Sequence, residues 1–141
     1  MRYSDWQSRL ADHFSAAKEK PFTWGMHDCA LFACDSILAI TGKDGAAAFR
    51  GRYDDKVGAY RALRDFAGGG LEATAEKICA ELGFIENMRN FHQRGDVALC
   101  DQGGEDTLGI IDLTGRYVII AAEQGIMQQS IDCVKRSWRV E

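Results

Sequence analysis

The residues best placed to do chemistry fall in one short stretch, Phe22-Thr23-Trp24-Gly25-Met26-His27-Asp28-Cys29. It runs directly into the apolar segment Ala30-Leu31-Phe32-Ala33-Cys34. Asp28 is an N-cap residue type, because its carboxylate can accept from the free N–H groups of a first helical turn. Cys29 then takes the first helical position, where the positive end of the helix dipole favours a thiolate. A thiol so placed is a candidate nucleophile, provided that a base lies within reach. Two histidines are candidates for that base. His27 precedes Cys29 by two residues and reaches it only if the loop folds back. His92 sits in a polar segment and reads more simply as a surface residue. The remaining histidine, His13, reads as a partly exposed surface residue. Trp24 and Asp28 are the candidate substrate-binding residues. The Trp24 indole can wall a cleft beside Cys29 or pack under the following helix, and the two readings are compatible.

The elements around this stretch change character part-way along the chain. Ser4 to about Glu19 predicts a first helix, with Ser4 and Gln7 in a capping-box pattern and an apolar stripe at Trp6, Leu10, Phe14 and Ala17. Cys29 to about Ile40 predicts a second helix, apolar nearly all round and therefore buried, closed by Gly42. Asp35 is its polar exception and needs a partner if buried. Phe49 and Tyr53 read as anchors of the connection that follows. A third helix is predicted over about 56–66, with Val57, Tyr60, Leu63 and Phe66 or Ala67 inward, and a fourth over about 71–82, ended by Gly83. Strands follow: 95–100, 107–113, 116–122 and 125–130, with 135–140 as a last edge strand anchored by Trp138. Short strands separated by glycine turns predict an antiparallel meander. Helices first and strands after is the α+β pattern, here a buried central helix on a C-terminal antiparallel sheet, in one domain over 1–141.

Composition excludes several functions. The 141 residues are 46% hydrophobic and 27% charged, with a net charge of −4. No Lys/Arg-rich run is present, so no nucleic-acid partner is expected. No apolar run approaches the roughly 20 residues that span a bilayer, so no membrane insertion is expected. The N-terminus carries no apolar signal region, which predicts synthesis in the cytoplasm. The five cysteines are scattered without a C-x-x-C pair, so neither a disulfide framework nor a metal site is expected, and no cofactor is implied. Cys34, Cys79, Cys100 and Cys133 read as buried free thiols that pack like small hydrophobes.

The order of parts resembles the NlpC-type cell-wall peptidases, small papain-like cysteine hydrolases. The spelling Phe22-x-Trp24-Gly25-x-x-Asp28-Cys29, with Gly42-Lys43-Asp44, Gly51-Arg52-Tyr53 and Trp138-Arg139, resembles an allied family of small phage and prophage tail proteins. This resemblance implies a papain-like fold with Cys29 at the nucleophile position and Gly95-Asp96-Val97 on the strand before the base. The base itself is a histidine in the pattern His-Val-Gly-Ile, and this chain reads Thr107-Leu108-Gly109-Ile110 there. The residue that orients the imidazole belongs on the following strand, where Val118 to Ala122 offers no polar side chain. A threonine hydroxyl cannot take a proton near neutral pH. The helix dipole alone stabilises a charge by about 0.3–1 kcal/mol. That leaves a thiol of ordinary pKa, about 8.5, mostly protonated.

The resemblance implies a phage tail-tip or baseplate component, made in the host cytoplasm and carried in the virion tail, with hydrolase activity lost or weakened. Its partners would be hub or central-fibre proteins of the tail, and peptidoglycan. An active cysteine peptidase or amidase cutting peptidoglycan stem peptides is the alternative. A small cytoplasmic α+β binding domain is the third reading.

Overall fold

The structure is a computed structural model that describes all 141 residues. Four helices come first: α1 (Trp6–Ala17), α2 (Cys29–Thr41), α3 (Lys56–Ala67) and α4 (Leu71–Leu82). Five strands follow: β1 (Val97–Gln102), β2 (Glu105–Ile111), β3 (Tyr117–Ala122), β4 (Gly125–Ser130) and, after a 3-10 turn at Ile131–Cys133, β5 (Val134–Trp138). The sheet is antiparallel with the order β4-β3-β2-β1-β5. The first four strands form the expected meander. The fifth returns to pair with β1, which puts Trp138 opposite Val97.

The central helix α2 forms where the sequence predicts, and for the predicted reasons. Asp28 is extended (φ −129°, ψ 177°) and its carboxylate accepts the Leu31 N–H at 2.9 Å. Gly42 ends the helix in the left-handed region, at φ 77°. Leu31, Phe32, Ile37 and Ile40 are at most 1% exposed. Burying side chains of this size contributes about 1.5–3 kcal/mol each, so α2 is a major part of the core. It packs on α1 to one side and on β2 and β3 to the other. Its polar exception, Asp35, sits at the rim and pairs with Arg50 at 2.7 Å.

Three local expectations are corrected. Helix α1 begins at Trp6 with Asp5 as N-cap, and the Ser4–Gln7 capping box does not form. The Asp5 carboxylate is drawn instead to Arg9 at 2.7 Å. Helix α3 turns Ala59 and Leu63 inward, while Val57 and Tyr60 are exposed. The strands are shifted by up to two residues: β1 begins at Val97, past Gly95-Asp96, and β2 begins at Glu105.

The sheet is unevenly paired, and this shapes the site. Strand β2 pairs with β1 from Glu105 to Ile110. Its pairing with β3 covers only Ile110↔Ile119 and Ile111↔Val118. The first half of β2 therefore has one edge free of the ladder, and the N-terminus of α2 lies against that edge.

A buried polar node ties the chain ends together. Asp96 is fully buried and accepts from the Gln93 N–H (2.8 Å) and Asn87 Nδ2 (2.9 Å). The Arg2 guanidinium lies at 3.3 Å from it, and the Val140 N–H at 3.4 Å.

Candidate active site

The loop before α2 is folded by three contacts that converge on Asp28. One carboxylate oxygen caps the helix through Leu31, as above. The other accepts the Gly25 N–H at 3.0 Å and the Tyr53 hydroxyl at 2.6 Å. Gly25 has φ +86°, and a Cβ there would collide with the Tyr53 carbonyl oxygen, so no other residue fits without moving the loop. Asp28 is 1% exposed and its lone pairs are already engaged, which leaves it a scaffold of the cleft wall more than a free ligand for substrate.

Cys29 opens α2 at the floor of a cleft of about 230 Å³. Trp24, Tyr53, Lys56, Tyr60 and Thr107 line it, with Glu105 and Asp106 on the β2 side. Phe22 supports Trp24 edge-on, with ring centroids 4.8 Å apart. A larger cavity of about 450 Å³ lies between α1 and β3–β4, but neither a thiol nor an imidazole lines it. The chemistry-bearing residues are in the smaller cleft.

The Cys29 sulfur faces no base. The Leu108 N–H on the open edge of β2, the Thr107 hydroxyl and the Ala30 N–H lie near it and favour the thiolate. Burial and the adjacent Asp28 carboxylate oppose them and win, pushing the thiol up to about 11. The sequence suggests a mild lowering by the helix dipole. The structure reverses this, since burial of the sulfur, with the capping carboxylate beside it, disfavours the charge.

None of the three histidines serves as the base. His27 is buried and turned away: its Nε2 donates to the Gly125 carbonyl at 2.8 Å, and its ring meets Phe32 edge-on. His27 therefore pins the loop to β4. His92 lines a separate surface depression with Glu86, Asn87 and Arg136. His13 stacks on Phe32 with ring centroids 5.2 Å apart, and burial lowers its pKa. Thr107 stands where the resemblance implies an imidazole, and it reaches Cys29 only as a hydroxyl donor.

The structure thus brings together Trp24, Asp28, Cys29 and Thr107, and leaves His27 and His92 apart from them. Tyr53 is the cleft residue that sequence reasoning treats only as an anchor. The available signal is the Gly51-Arg52-Tyr53 triplet, which carries no indication that its hydroxyl reaches Asp28.

A family model described as a domain of unknown function (DUF6950) matches residues 1–140. The chain belongs to this family. Among solved structures it is similar to the NlpC/p60 domain of the peptidoglycan hydrolase SagA, at 15% identity and a TM-score of 0.56. The superposition covers 94% of this chain and 97% of that one. At that identity the likeness shows the fold, which is α+β and NlpC/p60-like. No curated protein matches the chain.

Proposed function

We propose that this chain is an NlpC/p60-type domain whose hydrolase chemistry is silent and whose role is assembly, as a component of a phage or prophage tail tip. The observation that carries the silent reading is the state of Cys29. Its thiol is pushed up to about 11, Thr107 is the side chain beside it, and all three histidines lie elsewhere. At pH 7 such a thiol is about one part in 10⁴ ionised. A positioned base is worth about 10²–10⁴-fold in rate, and that contribution is missing. The tail assignment draws on the motif spelling from Phe22 to Cys29 and on Trp138-Arg139. The partners are then hub or central-fibre proteins.

One observation favours a second reading. The cleft over Cys29 is open, walled by Trp24 and Tyr60, and keeps N–H donors beside the sulfur. That is the form of a peptide-binding groove, and the structural neighbour is a peptidoglycan hydrolase. In this reading the chain is a cysteine peptidase or amidase whose base comes from a partner chain.

One pair of measurements separates the readings. Purified chain is incubated with peptidoglycan and with stem peptides, and new amino termini are scored by mass spectrometry against Cys29→Ser. Tail particles induced from the source strain are purified and their proteins quantified. The expected result is no Cys29-dependent cleavage, together with the chain present in tails at fixed stoichiometry. Cys29-dependent release of fragments by the isolated chain would overturn the silent reading. Absence of the chain from intact tails would overturn the assembly reading.

A further inference from the structure

Cys100 and Cys133, distant in sequence, are brought together by an irregularity in the sheet. Leu99 of β1 faces Arg136 of β5, but the next residue, Cys100, faces Val134, so the register slips at this point. The slip is a β-bulge, which re-aims side chains and bends the strand. It brings the 3-10 turn Ile131–Cys133 over the sheet face formed by Ala98, Cys100, Ile111, Val118 and Ile120. Cys100 is fully buried in that face, whereas Cys133 packs on it from outside and is partly exposed. Cys133 thus lies beside the buried cluster that holds Cys100, with the 3-10 turn against β1. Facing Cα atoms of antiparallel strands are about 4.5–5.5 Å apart, within the window of about 4.4–6.8 Å that a disulfide needs, and Cys133 is one residue from such a position. Cys34 and Cys79 are both about 1% exposed and offer no entry to an oxidant.

We propose that Cys100 and Cys133 form a dithiol–disulfide couple, oxidised by small disulfides of the glutathione class. The Cys133 thiolate attacks the oxidant's S–S bond, releases one thiol and becomes a mixed disulfide. Cys100 then attacks the Cys133 sulfur and gives its proton to the departing thiolate, which leaves as the second thiol. The two cysteines lose two electrons and two protons, and the oxidant is reduced to two thiols. The couple has a route to the cleft. Cys100 is the β1 partner of Thr107, the residue whose hydroxyl contacts Cys29. A bond at Cys100 fixes the bulged strand one rung from that contact. The proposal is independent of whether Cys29 is catalytic.

The test treats the full folded chain with oxidised glutathione at pH 8, blocks remaining thiols with N-ethylmaleimide and digests without reduction. The expected product is a peptide cross-linked between Cys100 and Cys133, with two fewer blocked thiols and Cys29 still free. Cys100→Ser should stop at a glutathione adduct on Cys133. Cys133→Ser should leave Cys100 free, and its thermal melt should match that of the reduced wild type. A wild-type reaction that ends on a stable Cys133 adduct overturns the proposal, as does consumption of Cys29 instead.

Discussion

Restoring an imidazole at the β2 position facing Cys29 is the sharpest test of the reasoning about this site. The perturbation is Thr107→His. In the wild type, a thiol pushed up to about 11 is ionised to about one part in 10⁴ at pH 7. Thiols paired with an imidazolium fall in the range of about 3.5–7.5. A value of about 7 in the variant raises the thiolate fraction some 5,000-fold. The less basic thiolate is also a weaker nucleophile. With a Brønsted slope of about 0.4–0.5 over four units, that costs roughly 60-fold. The net expectation is alkylation about 10²-fold faster at pH 7. The assay is iodoacetamide labelling between pH 5 and 11, resolved by peptide mass spectrometry so that Cys133 is scored separately. Thr107→Val is the control: it removes a donor that favours the thiolate, so labelling should slow. Two results would refute the argument. One is a wild-type Cys29 that already labels with a midpoint below about pH 8. The other is a Thr107→His profile superimposable on the wild type in a protein that melts normally.

Other consequences are open to direct measurement. Asp28→Ala removes the α2 cap and strands the Tyr53 hydroxyl, which should cost about 2–4 kcal/mol in a urea titration. In the surviving fold it should speed Cys29 labelling, because the opposing charge is gone. Asp96→Ala leaves the Arg2 guanidinium, the Asn87 amide and two backbone N–H groups without their acceptor and should cost about 3–5 kcal/mol by the same titration. Trp24→Ala should cost only about 1–2 kcal/mol, since the indole is half-exposed and leans mainly on Phe22, so a melt far below that expectation would place Trp24 in the core. Alkaline stability should be poor. Burial raises the Cys29 thiol to about 11 and the Cys79 thiol to about 12. The native state therefore holds these protons where the unfolded chain releases them. Their contribution is intact below pH 9 and falls by about 1.4 kcal/mol per thiol per pH unit above it, until the native thiol itself ionises. Urea midpoints at pH 8 and pH 10.5 should differ accordingly, and equal midpoints would contradict the burial of these thiols.

What the sequence reveals is governed by punctuation and period. Helix α2 and the end of α4 are legible because Asp28, Gly42 and Gly83 mark them and the residues between leave no other reading. The inward face of α3 is misread because its periodic apolar residues include Tyr60, which the fold spends on the mouth of the cleft. The return of β5 to β1 is hidden, since strand order depends on which edge remains uncovered after the meander closes. In the site, Cys29 and Thr107 are legible from motif order. Tyr53 bonding to Asp28 and His27 bonding to Gly125 are long-range contacts with no local signature. The meeting of Cys100 and Cys133 depends on a one-residue bulge, which no period reports.

The loop from Trp24 to Cys29 has a structural use for almost every residue, and this limits what its spelling says about catalysis. Gly25 is required where the backbone passes under Tyr53. His27 fastens the loop to β4 through the Gly125 carbonyl. Asp28 satisfies a helix N–H, a loop N–H and a tyrosine hydroxyl at once. Cys29 itself stands beside the Leu108 N–H on the stretch of β2 that β3 leaves unpaired. An N–H left without a partner in such a place costs about 1–3 kcal/mol. A cysteine can therefore be retained at the tip of α2 as a compact acceptor, without ever serving as a nucleophile. Cys29→Ser keeps an acceptor in place and Cys29→Val does not. If the sulfur's main task is structural, Ser should melt close to the wild type and Val well below it. If the task is chemical, both should fold alike and both should lose whatever activity the wild type has.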